Sequence, residues 1–161
     1  MMTAKEIKTL LKLEPHPTEG GFFRQTYVSE ATVELARGAR SLGTAIYYLL
    51  EADTFSEMHV LDSDEIFHFY LGDPVEMLQL YPDGNTAVFM LGTDLAAGQH
   101  VQLVVPAGVW QGTLLVGDGQ MALLGCTVTP AWDEREFELG ARDLLLREFS
   151  AAAEWIVALT R

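Results

Sequence analysis

The feature that most constrains the fold is a succession of short β-rich segments separated by turn residues. After EPHPTEGG, whose prolines and paired glycines stop a helix, segments rich in β-branched and aromatic residues follow one another along the chain. They predict at least eight short strands: FFRQTYV, TAIYYLL, IFHFYL, VEMLQLY, AVFML, VQLVV, TLLV and MALLGCTV. Turn residues at 82–85 (PDGN) and 117–119 (GDG) favour hairpins, so we expect antiparallel pairing.

Helical patterns flank these strands at both ends. Thr3 and Glu6 form a Thr-x-x-Glu capping box ahead of a short amphipathic helix. Apolar residues return to helical spacing near the C-terminus: Leu144, Leu145 and Phe149, then Trp155, Ile156 and Leu159. Many short strands between terminal helices predict an all-β sandwich or barrel around one interior. Because the 161 residues contain no linker or repeat, we expect a single domain over residues 1–161.

Charge and cysteine content limit the partners and the compartment. With 23 acidic and 10 basic residues, the net charge of −13 opposes binding to nucleic acid and to anionic membrane surfaces. No apolar run reaches the roughly 18 residues of a membrane span, and the charged N-terminal residues do not resemble a signal peptide. The single cysteine, Cys126, forms no internal disulfide. We therefore expect a cytoplasmic protein, with Cys126 as a small buried hydrophobe.

Polar residues interrupt two of the predicted strands, at Arg24 in FFRQTYV and at Glu65 and His68 in EIFHFYL. Such residues face either solvent or a wet pocket. Because side chains alternate along a strand, Glu65, Phe67 and Phe69 share one face, whereas His68 lies on the other. Glu65 and His68 are therefore not expected to meet.

Two motifs resemble those of the cupin superfamily. His59, Glu65 and Gly72 fit the first cupin motif, but Leu61 occupies the position of its second histidine. The segment PAGVWQ fits the second motif, Pro-x-Gly-x-x-His, except that Gln111 replaces the histidine. The resemblance implies a barrel interior in which two of the usual four metal ligands are replaced.

Four ordered segments are similar to the cupin-five group of single-domain cupins, long described as of unknown function: HPTEGGFFRQTY, SDEIFHFYLGDP, VPAGVWQG and GCTVTPAWDEREFELG. The resemblance implies a cupin-type antiparallel β-barrel, that is, a double-stranded β-helix or jelly roll, with short N- and C-terminal helices. Members of the group are close in shape to sugar epimerases and isomerases of the RmlC-like kind and to seed-storage cupins. The resemblance also implies a homodimer, with strands such as FFRQTYV as candidates for edge pairing.

Two interpretations of the motif residues remain open. His59, Glu65 and Gln111 offer one imidazole, one carboxylate and one amide oxygen, a hard donor set suited to a weakly held divalent metal ion. The alternative is a hydrogen-bonded polar pair in a metal-free pocket. No cofactor is certain from the sequence.

In the metal-free interpretation, His59 is the general acid or base, since its ordinary pKa lies near neutrality. Asp62 or Asp64 orients it, and Arg24 clamps a carboxylate or phosphate of the ligand. The tyrosines that can supply a second proton are Tyr27, Tyr48 and Tyr70, of which we select Tyr48.

The remaining candidates form the ligand-binding wall of the pocket: Phe22, Glu65, Phe67, His68, Phe69, Trp110 and Gln111. Structural roles compete with these assignments. Trp110 is typical of a core or interface position, and His68 also suits an oligomer contact or a buried hydrogen bond. Arg24 also suits a structural salt bridge. His16, between two prolines, is expected to be a loop or cap residue.

Two function classes follow, both with a small sugar-like or anionic molecule as partner. The first is an enzyme that epimerises or isomerises a sugar or nucleotide sugar, with His59 and Arg24 central. The second is a non-catalytic ligand-binding or storage-type cupin, which the replaced ligands Leu61 and Gln111 favour. A weakly metal-dependent cupin enzyme is a third hypothesis.

Overall fold

The computed structural model describes residues 2–161, and in that range the chain is built mainly of short strands. The helices are α1 (Ala4–Leu11), α2 (Arg142–Glu148) and α3 (Ala153–Ala158), with short 3-10 helices at Leu95–Ala97, Glu134–Glu136 and Ser150–Ala152. The strands are β1 (Glu14–Pro15), β2 (Phe22–Val28), β3 (Thr32–Leu35), β4 (Gly38–Ser41), β5 (Thr44–Glu51), β6 (Ser56–Leu61), β7 (Asp64–Gly72), β8 (Val75–Leu80), β9 (Thr86–Leu91), β10 (Gln102–Val105), β11 (Trp110–Leu115), β12 (Met121–Thr129) and β13 (Phe137–Leu139).

Two antiparallel sheets form the body of the molecule. The six-stranded sheet has the order β1-β2-β5-β12-β7-β10, and the five-stranded sheet has the order β13-β6-β11-β8-β9. A separate ribbon joins β3 to β4. From β5 to β13, consecutive strands alternate between the sheets except for β8 and β9, which is the double-sheet arrangement of a jelly roll. The hairpin predicted at 82–85 is confirmed, since it joins β8 to β9, but the hairpin predicted at 117–119 is wrong, because β11 and β12 lie in different sheets. The predicted all-β, cupin-type antiparallel barrel with short terminal helices is confirmed.

Each sheet buries both of its faces over much of its area. Between the sheets, inward side chains such as Leu50, Phe67 and Met77 form the main core. On the outside, Ile7 of α1 packs on the six-stranded sheet, and the C-terminal helices pack Ile156 on the five-stranded sheet. The helices therefore cover the outer faces and leave the interior to the strands. None of the helices in residues 2–161 is long and apolar enough to span a membrane.

The chain between α1 and β2 brings the segment HPTEGG to the interior. The predicted capping box is present: Thr3 caps α1, and the side chain of Glu6 reaches back to the Thr3 backbone. Gly20 and Gly21 have φ angles of 92° and 68°, and a Cβ at Gly20 would lie 2.5 Å from the Phe55 carbonyl oxygen. Only glycine suits this close approach with a left-handed backbone. The predicted tight glycine turn into β2 is confirmed.

The turn between β6 and β7 takes the chain from one sheet to the other. His59 on β6 pairs with Gln111 on β11, so both belong to the five-stranded sheet. Glu65 on β7 pairs with Val105 and Val128 in the six-stranded sheet. The first motif residues, His59 and Glu65, therefore face each other across the interior.

Candidate functional site

A cavity of about 1010 Å³ opens between the two sheets. Its deeper wall is largely apolar and is formed by β5, β6 and β12 through Ile46, Tyr48, Leu61, Cys126 and Val128. Its rim is formed by the segment before β2 and by the segment from Trp132 to Leu139: His16, Glu19, Trp132, Phe137 and Leu139. This shape, apolar with few polar groups, is typical of a small-molecule site.

His59 is held rigidly beside this cavity. Its side chain is 1% exposed, and Nδ1 lies 2.7 Å from the carbonyl oxygen of Glu57, which accepts only when Nδ1 carries the hydrogen. The imidazole stacks on Phe137, with the ring centres 5.3 Å apart and the planes at 26°. The backbone bond and the ring therefore direct Nε2 toward the interior.

The expectation that Asp62 or Asp64 orients His59 is wrong. Asp62 lies 3.5 Å from the Arg37 guanidinium, and Asp64 accepts a hydrogen bond from the backbone of Ala107 at 2.9 Å. Both aspartates sit in the turn that joins β6 and β7 or just after it, and both side chains are directed toward solvent and neighbouring loops. The Glu57 carbonyl takes the orienting role instead.

Two carboxylates face Nε2 of His59. Glu65 Oε2 lies at 3.9 Å and Glu19 Oε2 at 4.0 Å. Among the described residues that form the cavity wall, Glu19 and Glu65 are present and His59 is not. His59 therefore lies behind the two carboxylates, which come between it and any molecule in the cavity.

The carboxylates decide the charge of His59. Burial disfavours the imidazolium, but Glu19 and Glu65, together with the Glu57 carbonyl, outweigh it and raise the pKa of His59 to about 9. An opposite charge near 4 Å contributes about 4 kcal/mol at an effective dielectric constant of about 20, and two such charges act here. His59 is consequently an imidazolium at neutral pH.

Gln111, a residue of the second cupin motif, also holds Glu65. The amide nitrogen of Gln111 donates to Glu65 Oε2 at 2.5 Å, while Gln111 Oε1 is buried and has no partner among residues 2–161. Leu61, at the position of the missing histidine, lies in the cavity wall as an apolar group. Gln111 thus anchors the carboxylate instead of supplying a fourth ligand.

These donors do not fit a resident metal ion of the cupin type. Within residues 2–161, no group of three or more His, Cys, Asp or Glu side chains is arranged to hold one. The Gln111 amide turns its N–H toward Glu65, and an amide N–H does not coordinate a metal ion. The proposed ligand set of His59, Glu65 and Gln111 is brought together as an acid–base cluster, in which Gln111 donates a hydrogen bond to Glu65 and His59 faces the same carboxylate at 3.9 Å.

The structure adds His16 and Glu19 to the site. His16 Nδ1 accepts from the backbone of Glu19 at 3.0 Å, which is the expected loop role, but His16 Nε2 also lies 3.5 Å from Glu19 Oε1 at the cavity wall. Burial lowers the pKa of His16, although Glu19 opposes this. Glu19 was not predicted. The sequence does contain a signal for Glu19, the polar segment HPTEGG, but we interpreted this segment only as a turn.

Arg24 borders the cavity but its guanidinium points elsewhere. Arg24 pairs with Tyr47 on β5, and its guanidinium carbon lies 5.6 Å from the centre of the Tyr47 ring. Tyr47 packs with α1 on the outer face of the six-stranded sheet, whereas the next residue, Tyr48, faces inward. Strand alternation therefore turns the predicted anion clamp away from Glu65.

Tyr48 is the predicted tyrosine that reaches the cavity. It is 1% exposed, and its hydroxyl donates to the Gly20 carbonyl at 2.9 Å. Burial, and then the nearby Glu19, hold the pKa of Tyr48 well above its usual value. Tyr27 and Tyr70 are 57% and 49% exposed. Tyr48 is thus a neutral hydroxyl that holds the glycine turn against the sheet.

Several predicted wall residues lie outside the cavity, and strand parity explains their positions. His68 faces outward, where it contacts the Thr127 hydroxyl at 3.3 Å and stacks on Tyr70; it does not meet Glu65, as predicted. Phe22 also faces outward and packs beneath Lys8 of α1. These two side chains belong to the outer surface of the six-stranded sheet.

The other three aromatic candidates, Phe67, Phe69 and Trp110, belong to the hydrophobic cores. Phe67 and Phe69 share the inward face with Glu65, as predicted, but they fill the closed part of the interior. Trp110 packs with the C-terminal helices on the outside of the five-stranded sheet, which is the core position that competed with a ligand role. Cys126 is buried, as expected, and burial, followed by Glu65 and Glu19, raises its pKa well above the usual value. The rings that do border the cavity are Phe23, Trp132 and Phe137.

Comparison with known proteins places this arrangement in a family. Residues 5–140 match the family Cupin_5, described as cupin superfamily (DUF985). The chain belongs to this family of cupins. The matched residues of this cupin include Glu19, His59, Glu65 and Gln111, so the match covers both cupin motifs and the segment before β2.

Relatives share the fold over nearly the whole chain. The structure of protein SO0799 from Shewanella oneidensis has a TM-score of 0.91 and 34% identity, covering 100% of this chain and 99% of that one. A hypothetical protein from Leishmania major has a TM-score of 0.91 and 27% identity, covering 99% of both chains. Bacillus subtilis oxalate decarboxylase, with a TM-score of 0.55 and 14% identity over 91% of this cupin and 37% of that chain, shares the fold alone.

A curated relative is the uncharacterized protein YML079W of Saccharomyces cerevisiae. It is 29% identical over an alignment of 129 positions, and the match covers 71% of this chain. The chain spans 64% of the length of that yeast protein.

Proposed function

We propose that this cupin is a metal-free isomerase of a small carbonyl compound, such as a sugar, and that the proton is moved in the cavity by the carboxylate of Glu65. The observation that carries the proposal is the position of Glu65. It borders the cavity and is held from behind by the Gln111 amide at 2.5 Å and by the His59 imidazole at 3.9 Å. A base that is fixed in one geometry is what proton abstraction requires.

The chemistry needs one base. Glu65 removes the proton from the hydroxyl-bearing carbon next to a carbonyl group, and the electron pair of that C–H bond forms the C=C bond of an enediolate while the carbonyl electron pair moves onto its oxygen. The neighbouring hydroxyl passes its proton to that oxygen, and Glu65, whose carboxyl proton exchanges with solvent, returns a proton to the former carbonyl carbon, so that the carbonyl group re-forms at the neighbouring carbon. The His59 imidazolium balances the charge of Glu65 before and after the transfer. His59 is thus a positioning residue in this proposal, and the direct acid–base role expected for it from the sequence passes to Glu65. Tyr48 and Arg24 keep structural contacts with Gly20 and Tyr47.

Solvent exchange tests the proposal without knowledge of the natural substrate. The protein is incubated in heavy water with a panel of aldoses, ketoses and 2-oxo acids, and deuterium entering the carbon next to the carbonyl is followed by NMR. We expect exchange with the wild type and its loss in Glu65→Gln. Glu138→Gln is the matched control, because Glu138 is an exposed residue of β13 outside the cavity wall.

A non-catalytic binding role is the second candidate. It is favoured by the position of His59 behind the carboxylates and by Leu61 in the wall, which leave a largely apolar chamber. A protein of this kind would bind a panel member without catalysing exchange. Binding without deuterium incorporation in any panel member would therefore replace the isomerase proposal with the binding role.

The proposed assembly is a homodimer in the cytoplasm. Among the described residues, β1 pairs only with Phe22 and Phe23 of β2, so the rest of β2 is a sheet edge. Tyr27 and Val28 on that edge are exposed. Open edges of this kind favour pairing between copies. Light scattering during gel filtration tests the dimer, and a monomeric mass over the micromolar range would contradict it.

A further inference from the structure

The cluster at the cavity has more hydrogen-bond acceptors than donors. Glu19 and Glu65 present carboxylates to the cavity, and the buried Gln111 Oε1 next to Glu65 has no partner in residues 2–161. The donors near them are the Ser56 hydroxyl, 3.3 Å from Glu19, the Gln111 amide, the ring of His59, and Nε2 of His16, 3.5 Å from Glu19. Each carboxylate accepts several hydrogen bonds, and buried acceptors that lack donors are costly, so a molecule that donates hydrogen bonds would stabilise the side of this cluster that faces the cavity.

The cluster also has more negative than positive charge. Glu19 and Glu65 share His59 as a partner, and Glu19 also faces His16, whose pKa is lowered by burial. Among the described residues, neither carboxylate forms an ion pair with a lysine or an arginine. The net charge of the three side chains is therefore negative whether His59 is protonated or neutral. Both carboxylates are largely buried, with 14% and 9% of their side chains exposed, so solvent screens them less than it does surface charges.

The other charged residues near the cavity do not reverse the negative charge of this cluster. Arg24, the predicted anion clamp, is part of the cavity wall and its buried Nε has no partner among the described residues, but its guanidinium carbon lies 5.6 Å from the centre of the Tyr47 ring on the outer face of the sheet. At the rim, the exposed Lys12 is accompanied by two exposed glutamates, Glu14 and Glu134. An anionic ligand would enter a cavity whose inner and outer charges both oppose it.

Aromatic rings border the same space. Phe23, Trp132 and Phe137 form part of the wall, and Phe137 also stacks on His59. The faces of aromatic rings attract cations, particularly where water is excluded. Two buried carboxylates and aromatic walls on one cavity are together suited to an ammonium group, which supplies three donors and one positive charge.

We propose that the ligand of this cavity is a small organic amine whose ammonium group binds at Glu19 and Glu65. The inference rests on the proposed function only in taking the cavity as the ligand site, and it names the chemical class of the ligand. It reverses the sequence expectation of an anionic ligand, since that expectation depended on Arg24 facing the interior.

Matched sets of compounds test the ligand class. Each set keeps one carbon skeleton and varies one group: glucosamine, glucose and gluconate; cyclohexylamine, cyclohexanol and cyclohexanecarboxylate; phenethylamine, phenethyl alcohol and phenylacetate. Affinities are measured by NMR titration at neutral pH in about 0.15 M salt, which screens the overall charge of the protein beyond a Debye length of about 8 Å. We expect the amine to bind at least about tenfold more tightly than its alcohol in one or more sets, and the carboxylate more weakly than both.

Variants separate a site effect from the acidic surface. Glu19→Gln and Glu65→Gln should each remove most of the preference for the amine, whereas Glu138→Gln, which removes one charge outside the cavity wall, should retain it. Equal or tighter binding of an alcohol or carboxylate in every set, or no binding of any amine, overturns the inference. Amine binding without deuterium exchange would leave the inference standing and remove only the isomerase proposal.

Discussion

The two faces of the six-stranded sheet carry similar residue types but use them differently. On the outer face, His68 stacks on Tyr70 and contacts Thr127, and Arg24 lies over Tyr47. On the inner face, Glu65 meets the buried His59 beside a cavity. The outer groups keep solvent or α1 as neighbours, whereas the inner groups must satisfy one another. Burial between the two sheets, and not residue type, therefore makes the inner cluster the candidate functional site.

The largest expected effect is the loss of proton exchange in Glu65→Gln. If Glu65 is the base, the rate of deuterium incorporation should fall by about 10²–10⁴-fold, because glutamine cannot accept the proton. Removing the imidazole from the outer face by His68→Ala should leave the rate within a few fold. An equal loss of exchange in both variants would mean that the faces do not differ as proposed.

A second prediction concerns the charge of His59. NMR titration of its ring should give a pKa of about 9 in the wild type. Glu19→Gln and Glu65→Gln should each lower it, since each removes one of the carboxylates that oppose the burial effect. A His59 that titrates near 6.5 in the wild type would contradict the ionised cluster.

The same shift predicts how stability depends on pH. Because the folded pKa of His59 is raised above its unfolded value, its stabilising contribution is fully present below about pH 6.5 and is lost as pH rises through about 9. The free energy of unfolding should therefore fall by a few kcal/mol between these pH values, as measured by urea denaturation. In Glu19→Gln the fall should be smaller. The absence of any change between wild type and variant would argue against the coupling.

Metal content further tests how the inner cluster differs from the outer face. Elemental analysis of protein purified without chelators should find metal well below one ion per chain, because Gln111 turns an N–H toward Glu65 and no group of three or more His, Cys, Asp or Glu side chains in residues 2–161 is arranged to hold a metal ion. Leu61→His, which restores the missing motif position in the cavity wall, should raise the occupancy. Near-stoichiometric metal in the wild type that is lost in His59→Ala would instead support the metal-dependent hypothesis.

The smallest effects are expected on the outer face. Arg24→Ala and His68→Ala should change the free energy of unfolding by about 1 kcal/mol or less and leave the His59 pKa unchanged. Chemical denaturation and the same NMR titration measure both. A large change in the His59 pKa in Arg24→Ala would show that Arg24 acts on the inner cluster after all.

The sequence by itself determined the strands, the turns and the partition of each strand into two faces. Turn residues and β-rich segments mark the ends of the strands locally, although only the turn at 82–85, and not that at 117–119, forms a hairpin. The alternation of side chains along β7 is enough to separate Glu65 from His68. The motif positions also identified His59, Glu65 and Gln111, which the fold does bring together. These features depend on neighbours in sequence, so local patterns suffice.

Only the tertiary structure decided which groups meet the cavity. Glu19 arrives from a turn before β2 and takes a place between His59 and the cavity, a contact across 40 positions of sequence that no local pattern encodes. Alternation left open which face of β2 would turn inward, because Phe22 and Phe23 are both aromatic, and the packing of α1 on the outer face settled it against Arg24. The direction of a side chain within a strand is local, but its surroundings depend on which sheet and helix pack against that face.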